Sequence, residues 1–167
     1  MLRKIHLQDL VSDIEDWIKN SLSTPSPVFN MLPPCPYAKK AWLDKKVAVR
    51  QCIGLDVFSM MEGDTWNWTG KRDVIVYGFD PSAMTPAELT KLVDKANATF
   101  LSDRGFVALE DHPDEIEAVE GINFNQGTWA LVLLQERSKL NEARQWLEQK
   151  GYYNKWPHDY KNEVFLK

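Results

Sequence analysis

Cysteine is scarce in this chain of 167 residues, which contains only Cys35 and Cys52. Two cysteines are too few for the disulfide framework of a small secreted protein. Neither belongs to a Cys-x-x-Cys pair, and no cysteine and histidine have the spacing of a structural zinc site. The sequence therefore predicts no disulfide framework and no structural zinc site, and our primary prediction includes no metal ligand and no cofactor.

Long hydrophobic runs are also missing. No stretch approaches the roughly 18 consecutive apolar residues that a membrane-spanning helix needs. Residues 1–6 lead into an acidic amphipathic segment, whereas a secretion signal would continue into an apolar core. We therefore expect a cytoplasmic protein that has no membrane partner.

There is no excess of basic residues, because 24 acidic residues outnumber 20 Lys and Arg and the formal charge is −4. Binding to duplex nucleic acid depends mainly on basic surface that displaces counterions. We therefore expect no nucleic-acid partner. The apolar fraction of 44% and the charged fraction of 26% are those of an ordinary globular protein.

Apolar spacing and capping signals predict four helices. Residues 7–18 put Leu10, Ile14 and Trp17 on one helical face and acidic residues on the other. The proline-rich segment 24–36 ends this helix, and a short helix is predicted over residues 35–45 with Pro36 at its first position. Further helices are predicted behind a capping box at 85–88 and from Ser138, as N-cap, to Gly151.

Strands are predicted over 47–52, 74–79, 106–109 and 128–135, with a terminal edge strand at 164–166. A helical turn over 57–61 and a loop should lie between the first two strands. From residue 74 the order is strand, helix, strand, strand, helix, strand, which is the split βαβ, or ferredoxin-like, order. We predict one α+β domain over 1–167 with a mostly antiparallel sheet, residues 1–45 being a helical extension with a proline-rich loop.

Two strands are apolar on both sides. In residues 74–79 Val76 belongs to one alternating set and Ile75 and Tyr77 to the other, and residues 129–134 repeat this pattern. Such strands are buried on both faces, but the two helices of a split βαβ unit cover only one. The helix that carries Leu10 and Ile14, a second subunit in a homodimer, or a ligand must cover the other face.

Cys35 is the main candidate for chemistry. At the start of a helix its sulfur would face free backbone N–H groups, and Lys39 and Lys40 add positive charge. Such surroundings lower the pKa of a thiol and favour the reactive thiolate. The alternative interpretation is a small buried side chain in a proline-rich corner.

The residues Cys35-Pro36-Tyr37-Ala38 resemble the Cys-Pro-Tyr-Cys active site of glutaredoxins, with Ala38 in place of the second cysteine. They are also similar to a family of uncharacterised bacterial proteins that carry a Cys-Pro-Phe-Ala motif and a later His-Pro pair, here His112-Pro113. The glutaredoxin likeness implies thiol redox chemistry at Cys35. The bacterial family implies that the segments of Cys35 and His112 belong together.

His112 lies in the acidic run 110–115, where an imidazole and carboxylates could form an acid–base pair or hold a divalent metal. A solvated acidic loop is the alternative. Trp66 and Trp68 flank Asn67 in a glycine-bounded loop; they could form the lip of a binding site, or the loop could fold onto the core.

No complete catalytic constellation can be assembled from these residues, so the primary prediction is a non-enzymatic binding or interaction module. One alternative is a thiol-dependent enzyme or redox protein that uses Cys35 as catalytic residue, with or without His112. A second is a metal-dependent enzyme at His112. The partner, a small molecule or a protein, is open, and the candidate binding residues are Tyr37, Lys39, Lys40, Trp66 and Trp68.

Overall fold

The computed structural model describes residues 6–167, so the interpretation of residues 1–6 given above falls, except for His6, outside the described residues. The described chain is an α+β structure built on a mixed four-stranded sheet. Within residues 6–167, no helix is both long enough and apolar enough to cross a membrane.

The helices and strands alternate along most of the chain. The helices are α1 (Leu7–Asp16), α2 (Ala38–Leu43), α3 (Val57–Trp66), α4 (Pro86–Ala96), α5 (Arg137–Gln149) and α6 (His158–Leu166). The strands are β1 (Val47–Gln51), β2 (Val74–Phe79), β3 (Phe106–Asp111), β4 (Ala118–Val119), β5 (Ile122–Asn123) and β6 (Ala130–Glu136). A π turn extends α1 over Trp17–Ser21, and irregular turns extend α4 as far as Arg104.

The sheet has the strand order β1-β2-β6-β3. β1 is parallel to β2, whereas β6 is antiparallel to both of its neighbours, β2 and β3. β2 and β3 are therefore parallel to each other, α4 connects them, and β6 lies between them. A separate hairpin is formed by β4 and β5.

The predicted edge strand at 164–166 is wrong, because these residues belong to α6. Val164 and Phe165 are a short apolar run, which does not by itself distinguish a strand from a helix. The aromatic rings nearby favour the helix, since Phe165 packs edge-on against Tyr153 with 5.1 Å between ring centroids. The outer position beside β2 is instead occupied by β1, which comes from the N-terminal half of the chain.

Several helix boundaries also differ from the prediction. Helix α2 begins at Ala38 rather than at Pro36, because Pro36 and Tyr37 form a turn. Helix α3 continues through residues predicted to be a loop and ends at Trp66. Helix α5 starts at Arg137, so that Ser138 lies inside it. The capping box is confirmed, because the Thr85 hydroxyl accepts from the backbone N–H of Glu88 and the Glu88 carboxylate accepts from that of Thr85.

The prediction that both faces of the sheet are buried is confirmed. One face packs against α3 and α4 in a cluster that includes Ile75, Tyr77 and Val132. On the other face, Val76 and Leu131 pack against Leu10 and other apolar residues of α1 and its extension. The N-terminal helix therefore covers the second face, and covering it requires neither a second subunit nor a ligand.

Helix α5 does not share the α4 face, contrary to the expectation for the split βαβ order. Its Leu147 belongs to a third cluster, which is rich in aromatic side chains and lies outside the two sheet-face clusters. Within this cluster the rings of Phe29 and Tyr152 stack at 5.0 Å, and those of Trp156 and Tyr160 also stack at 5.0 Å. The cluster joins the proline-rich loop, α5 and the start of α6.

Replacing Gly78 by alanine should destabilise the fold. A Cβ at this position would lie 2.4 Å from Cδ1 of Leu10, whose side chain is fully buried between α1 and β2. We expect Gly78→Ala to lower the free energy of unfolding by about 1–3 kcal/mol, the usual cost of overpacking, as measured by urea unfolding.

Gly63→Ala is the matched control, because Gly63 lies within α3 and a Cβ there meets nothing within 4 Å. Alanine in a helix interior should raise stability by up to about 1 kcal/mol. Equal stability of the two variants would show that α1 does not approach β2 as described.

Candidate functional site

Cys35 lies in the turn before α2 and packs, partly exposed, against the α1 side of the sheet. Its backbone N–H donates to the carbonyl oxygen of Leu22 at 2.9 Å. Burial raises the pKa of the Cys35 thiol, and the backbone N–H groups of Tyr37 and Ala38 oppose this only in part. The predicted contact with N–H groups is present, but the predicted lowering of the pKa is wrong because desolvation outweighs it.

The side chains predicted to act with Cys35 face solvent. Lys39 is exposed, and Lys40 forms an ion pair with Asp44 one turn further along the chain. Tyr37 is half exposed and packs edge-on against Trp146 of α5, with 6.0 Å between ring centroids. This ring contact ties α2 to α5.

His112 is buried at the end of β3, and its ring is fully bonded to the backbone. Nε2 lies 2.9 Å from the carbonyl oxygen of Met84 and 3.2 Å from that of Pro81, which assigns the proton to Nε2. Nδ1 then accepts from the backbone N–H of Asp114 at 3.1 Å. In this arrangement the imidazole ties the end of β3 to the segment before α4, and it presents no free lone pair to a metal.

The structure does not bring Cys35 and His112 together. Cys35 packs with α1 on one face of the sheet. His112 bonds to Met84, which belongs to the cluster on the opposite face. Within residues 6–167, no group of three or more His, Cys, Asp and Glu side chains has the geometry to hold a metal ion.

The two tryptophans do not form a common lip. Trp66 ends α3 with 72% of its surface exposed, and the guanidinium carbon of Arg104 lies 4.1 Å from its ring centroid. Trp68 is partly buried and packs edge-on against Phe106 at 5.0 Å. The alternative in which this loop folds onto the core therefore holds for Trp68.

A cleft that the sequence analysis did not predict lies where β3, α5 and α6 meet. It has a volume of about 110 Å³. Its walls combine apolar side chains with charged ones, namely Leu109, Glu110, Glu117, Arg144, Tyr160, Glu163, Val164 and Lys167.

The acidic wall of the cleft contains two carboxyl groups with unusual surroundings. The Glu110 side chain is 9% exposed, and its Oε1 forms an ion pair with Nζ of Lys167. Its Oε2 is buried and has no hydrogen-bond donor among the described residues. Burial, reinforced by the charges of Asp111, Glu110 and Glu115, raises the pKa of Glu117 to about 7.

The lining also contains Arg144, which is only 6% exposed. Within residues 6–167, its guanidinium takes part in no hydrogen bond and no ion pair. Its carbon lies 5.8 Å from the ring centroid of Phe165. Burial lowers the pKa of Arg144, which reflects the cost of keeping this charge away from water.

A larger and shallower groove of about 600 Å³ runs along α4, where it is lined by Lys91, Asp94, Asp114 and Glu115. All four of these charged residues are exposed, so water can satisfy them without a ligand. The smaller cleft is the stronger candidate, because buried polar groups without partners need an explanation and exposed ones do not.

One signal in the sequence could have identified Arg144. Leu140, Arg144 and Leu147 stand at positions i, i+4 and i+7 of α5, so the arginine interrupts the apolar stripe of this helix. Glu110 was included in the acidic run around His112, but nothing in the sequence places it in one cleft with Arg144. The cleft depends on contacts between segments that are far apart in the chain.

The described chain is thus an α+β domain that carries a small charged cleft at one edge of its sheet. No family model matches it, and no curated protein or solved structure matches it at a significant level.

The thiol of Cys35 should react slowly near neutral pH. Because burial raises its pKa, alkylation by iodoacetamide in a Cys52→Ser background should accelerate only above the pKa of an ordinary cysteine thiol. The rate measured across pH gives this pKa, with free glutathione as the reference thiol. A pKa below 7 would instead support the reactive thiolate predicted from the sequence.

Replacing Glu117 by glutamine should change how stability depends on pH. In the unfolded chain this carboxyl ionises near its ordinary pKa of 4.5, whereas the folded protein keeps the proton until about pH 7. The unfolded state therefore binds fewer protons across this window, and Glu117 makes the free energy of unfolding fall as pH rises from 4.5 to 7. Glu117→Gln should be more stable than the wild type by about 1–3 kcal/mol at pH 7.5 and show little difference at pH 4.5.

Urea unfolding at several pH values measures this difference. Glu142→Gln is the control, because it removes the same charge from an exposed position on α5. A difference between Glu117→Gln and wild type that does not vary with pH would contradict the raised pKa.

Proposed function

We propose that this protein is a non-enzymatic binding module whose cleft binds a small ligand through an anionic group at Arg144. The observation that carries the proposal is the buried guanidinium, which has no hydrogen bond or ion pair within the described residues. A charge that is mostly removed from water without a protein partner is destabilising, since most of its lost hydration is not replaced. An anion in the cleft supplies that replacement.

The chemistry of the guanidinium selects the anionic group. Arginine presents donors in a planar fork that matches the two oxygens of a carboxylate or of a phosphate. Its contact with the Phe165 ring holds the guanidinium from one side but provides no hydrogen-bond acceptor. A carboxylate or phosphate therefore offers what Arg144 lacks.

The size of the cleft limits the ligand. Sites for drug-sized molecules have volumes of about 300–1,000 Å³, and this cleft has a volume of about 110 Å³. The apolar contacts come from Leu109 and Val164, with the Tyr160 ring beside them. A ligand of a few heavy atoms, or the end of a larger one, fits these dimensions.

Binding is favoured over catalysis by the location of the reactive groups. Nucleophilic catalysis by a thiol needs an activating base within hydrogen-bond reach. Cys35 and His112 lie on opposite sides of the sheet and outside the cleft lining. The guanidinium of Arg144, which has no ion pair within the described residues and lines the cleft, supports ligand binding directly.

We also propose that the domain is a variant of the ferredoxin-like fold. The support is the β2–α4–β3 unit, whose two parallel strands are separated by the antiparallel β6. In this variant β1 occupies the place of the terminal strand.

Arg144→Gln should abolish most of the anion binding. The loss of charge-assisted hydrogen bonds should weaken binding at least tenfold, since such bonds contribute about 1.5–3 kcal/mol. Arg144→Lys should retain part of the affinity because it keeps the charge but not the planar fork. Isothermal titration calorimetry with acetate, propionate, succinate and inorganic phosphate measures the affinities, and circular dichroism checks the fold of each variant.

Arg72→Gln is the control, because it removes the same charge from an exposed residue outside the cleft. It should bind like the wild type. The proposal fails if none of these anions binds the wild type at millimolar concentration, or if binding is the same in Arg144→Gln and Arg72→Gln.

A further inference from the structure

We infer that the ligand of this cleft is a small zwitterion, whose carboxylate binds Arg144 on α5 and whose ammonium group binds Glu110 on β3. This inference rests on the proposed function, because it takes Arg144 as the site of the carboxylate. It adds a second recognition group and thereby narrows the class of ligand to amino acids and related amino-carboxylates.

The first support is the unsatisfied oxygen of Glu110. Lys167 occupies Oε1, but Oε2 is buried without a donor among the described residues. The whole side chain is 91% buried, so bulk water does not serve this oxygen freely. A buried acceptor without a donor is destabilising, and more so when it is charged. An ammonium group has three donors and compensates this cost directly.

The second support is that the two unsatisfied groups have opposite charge and line the same cleft. Glu110 comes from the sheet and Arg144 from the helix that follows β6. A ligand with only a carboxylate would satisfy Arg144 but add a further negative charge to a cleft that already contains Glu110 and Glu163. A ligand that also has an ammonium group offers a carboxylate to Arg144 and a hydrogen-bond donor to Oε2 of Glu110.

The third support is the charge balance of the lining. Glu110 and Glu163 are matched by Arg144 and Lys167, and Glu117 keeps its proton up to about pH 7. Apart from Glu117, these side chains carry two negative and two positive charges. A ligand that is itself neutral overall leaves this balance unchanged, whereas a simple anion or a simple cation does not.

The size of the cleft agrees with this class of ligand. A volume of about 110 Å³ accommodates only a few heavy atoms besides the two charged groups. The apolar Leu109 and Val164 side chains are available to contact the methylene groups between the two ends.

The test compares pairs of ligands that differ only in the ammonium group. Acetate is compared with glycine, propionate with β-alanine, and butyrate with γ-aminobutyrate, by calorimetry on the full chain at pH 6.5. We expect one amino-carboxylate to bind at least tenfold more tightly than its matched acid, the effect of about one charge-assisted hydrogen bond. The amino-carboxylate with the highest affinity shows which distance between the ammonium and carboxylate groups fits the cleft.

Glu110→Gln tests the assignment of the ammonium site. This variant should lose the tenfold advantage of the amino-carboxylate over its matched acid, and this ratio is the readout, because freeing Lys167 from its ion pair changes the affinity for the acid itself. Glu142→Gln is the control and should keep that advantage. Circular dichroism checks folding, and if Glu110→Gln does not fold, the comparison of ligand pairs on the wild type still decides the inference.

The outcomes separate this inference from the proposed function. If acids and amino-carboxylates bind equally, the zwitterion is excluded and anion binding at Arg144 stands. If an amino-carboxylate binds more tightly but Glu110→Gln keeps the advantage, the assignment to Glu110 is wrong. If neither kind of ligand binds, both proposals fail together.

Discussion

The fold depends on a four-stranded sheet that is apolar on both faces, so both faces must be shielded from water. Helices α3 and α4 cover one face, and α1 covers the other. Because β2 has glycine at position 78, the buried Leu10 side chain of α1 can approach the strand closely. Hydrophobic burial on two sides is therefore what joins the N-terminal third of the chain to the rest.

The charged cleft lies at the edge of this arrangement. Once α3, α4 and α1 occupy the two faces, α5 packs beyond them against an aromatic cluster, and α6 follows it. Arg144 and Glu110 are then enclosed at the junction of α5, α6 and β3 without complete partners. Buried charges of this kind reduce stability. A binding function provides a physical reason for the protein to retain these charges, whereas the buried thiol of Cys35 has no activating base beside it within residues 6–167.

The local parts of the fold were predictable, and the reasons differ from one element to another. Strand β2 is a continuous run of mostly β-branched and aromatic residues, helix α1 has clear apolar periodicity, and the capping box at Thr85 is a local hydrogen-bond pattern. The terminal segment 164–166 was mispredicted because three apolar residues fit a strand or a helix equally well. The pKa of Cys35 was mispredicted because its N–H contacts are local and visible in the sequence, whereas its burial under α1 is not.

The sequence by itself determined roughly which segments are helices and strands, and that both faces of the sheet must be covered. These properties follow from the periodicity and composition of short segments. Tertiary structure alone decided that β1 pairs with β2 in parallel, that α5 leaves the α4 face, and that Glu110 and Arg144 line one cleft. These outcomes depend on contacts between distant segments. Desolvation and the pairing of charges are properties of those contacts, so no local pattern contains them.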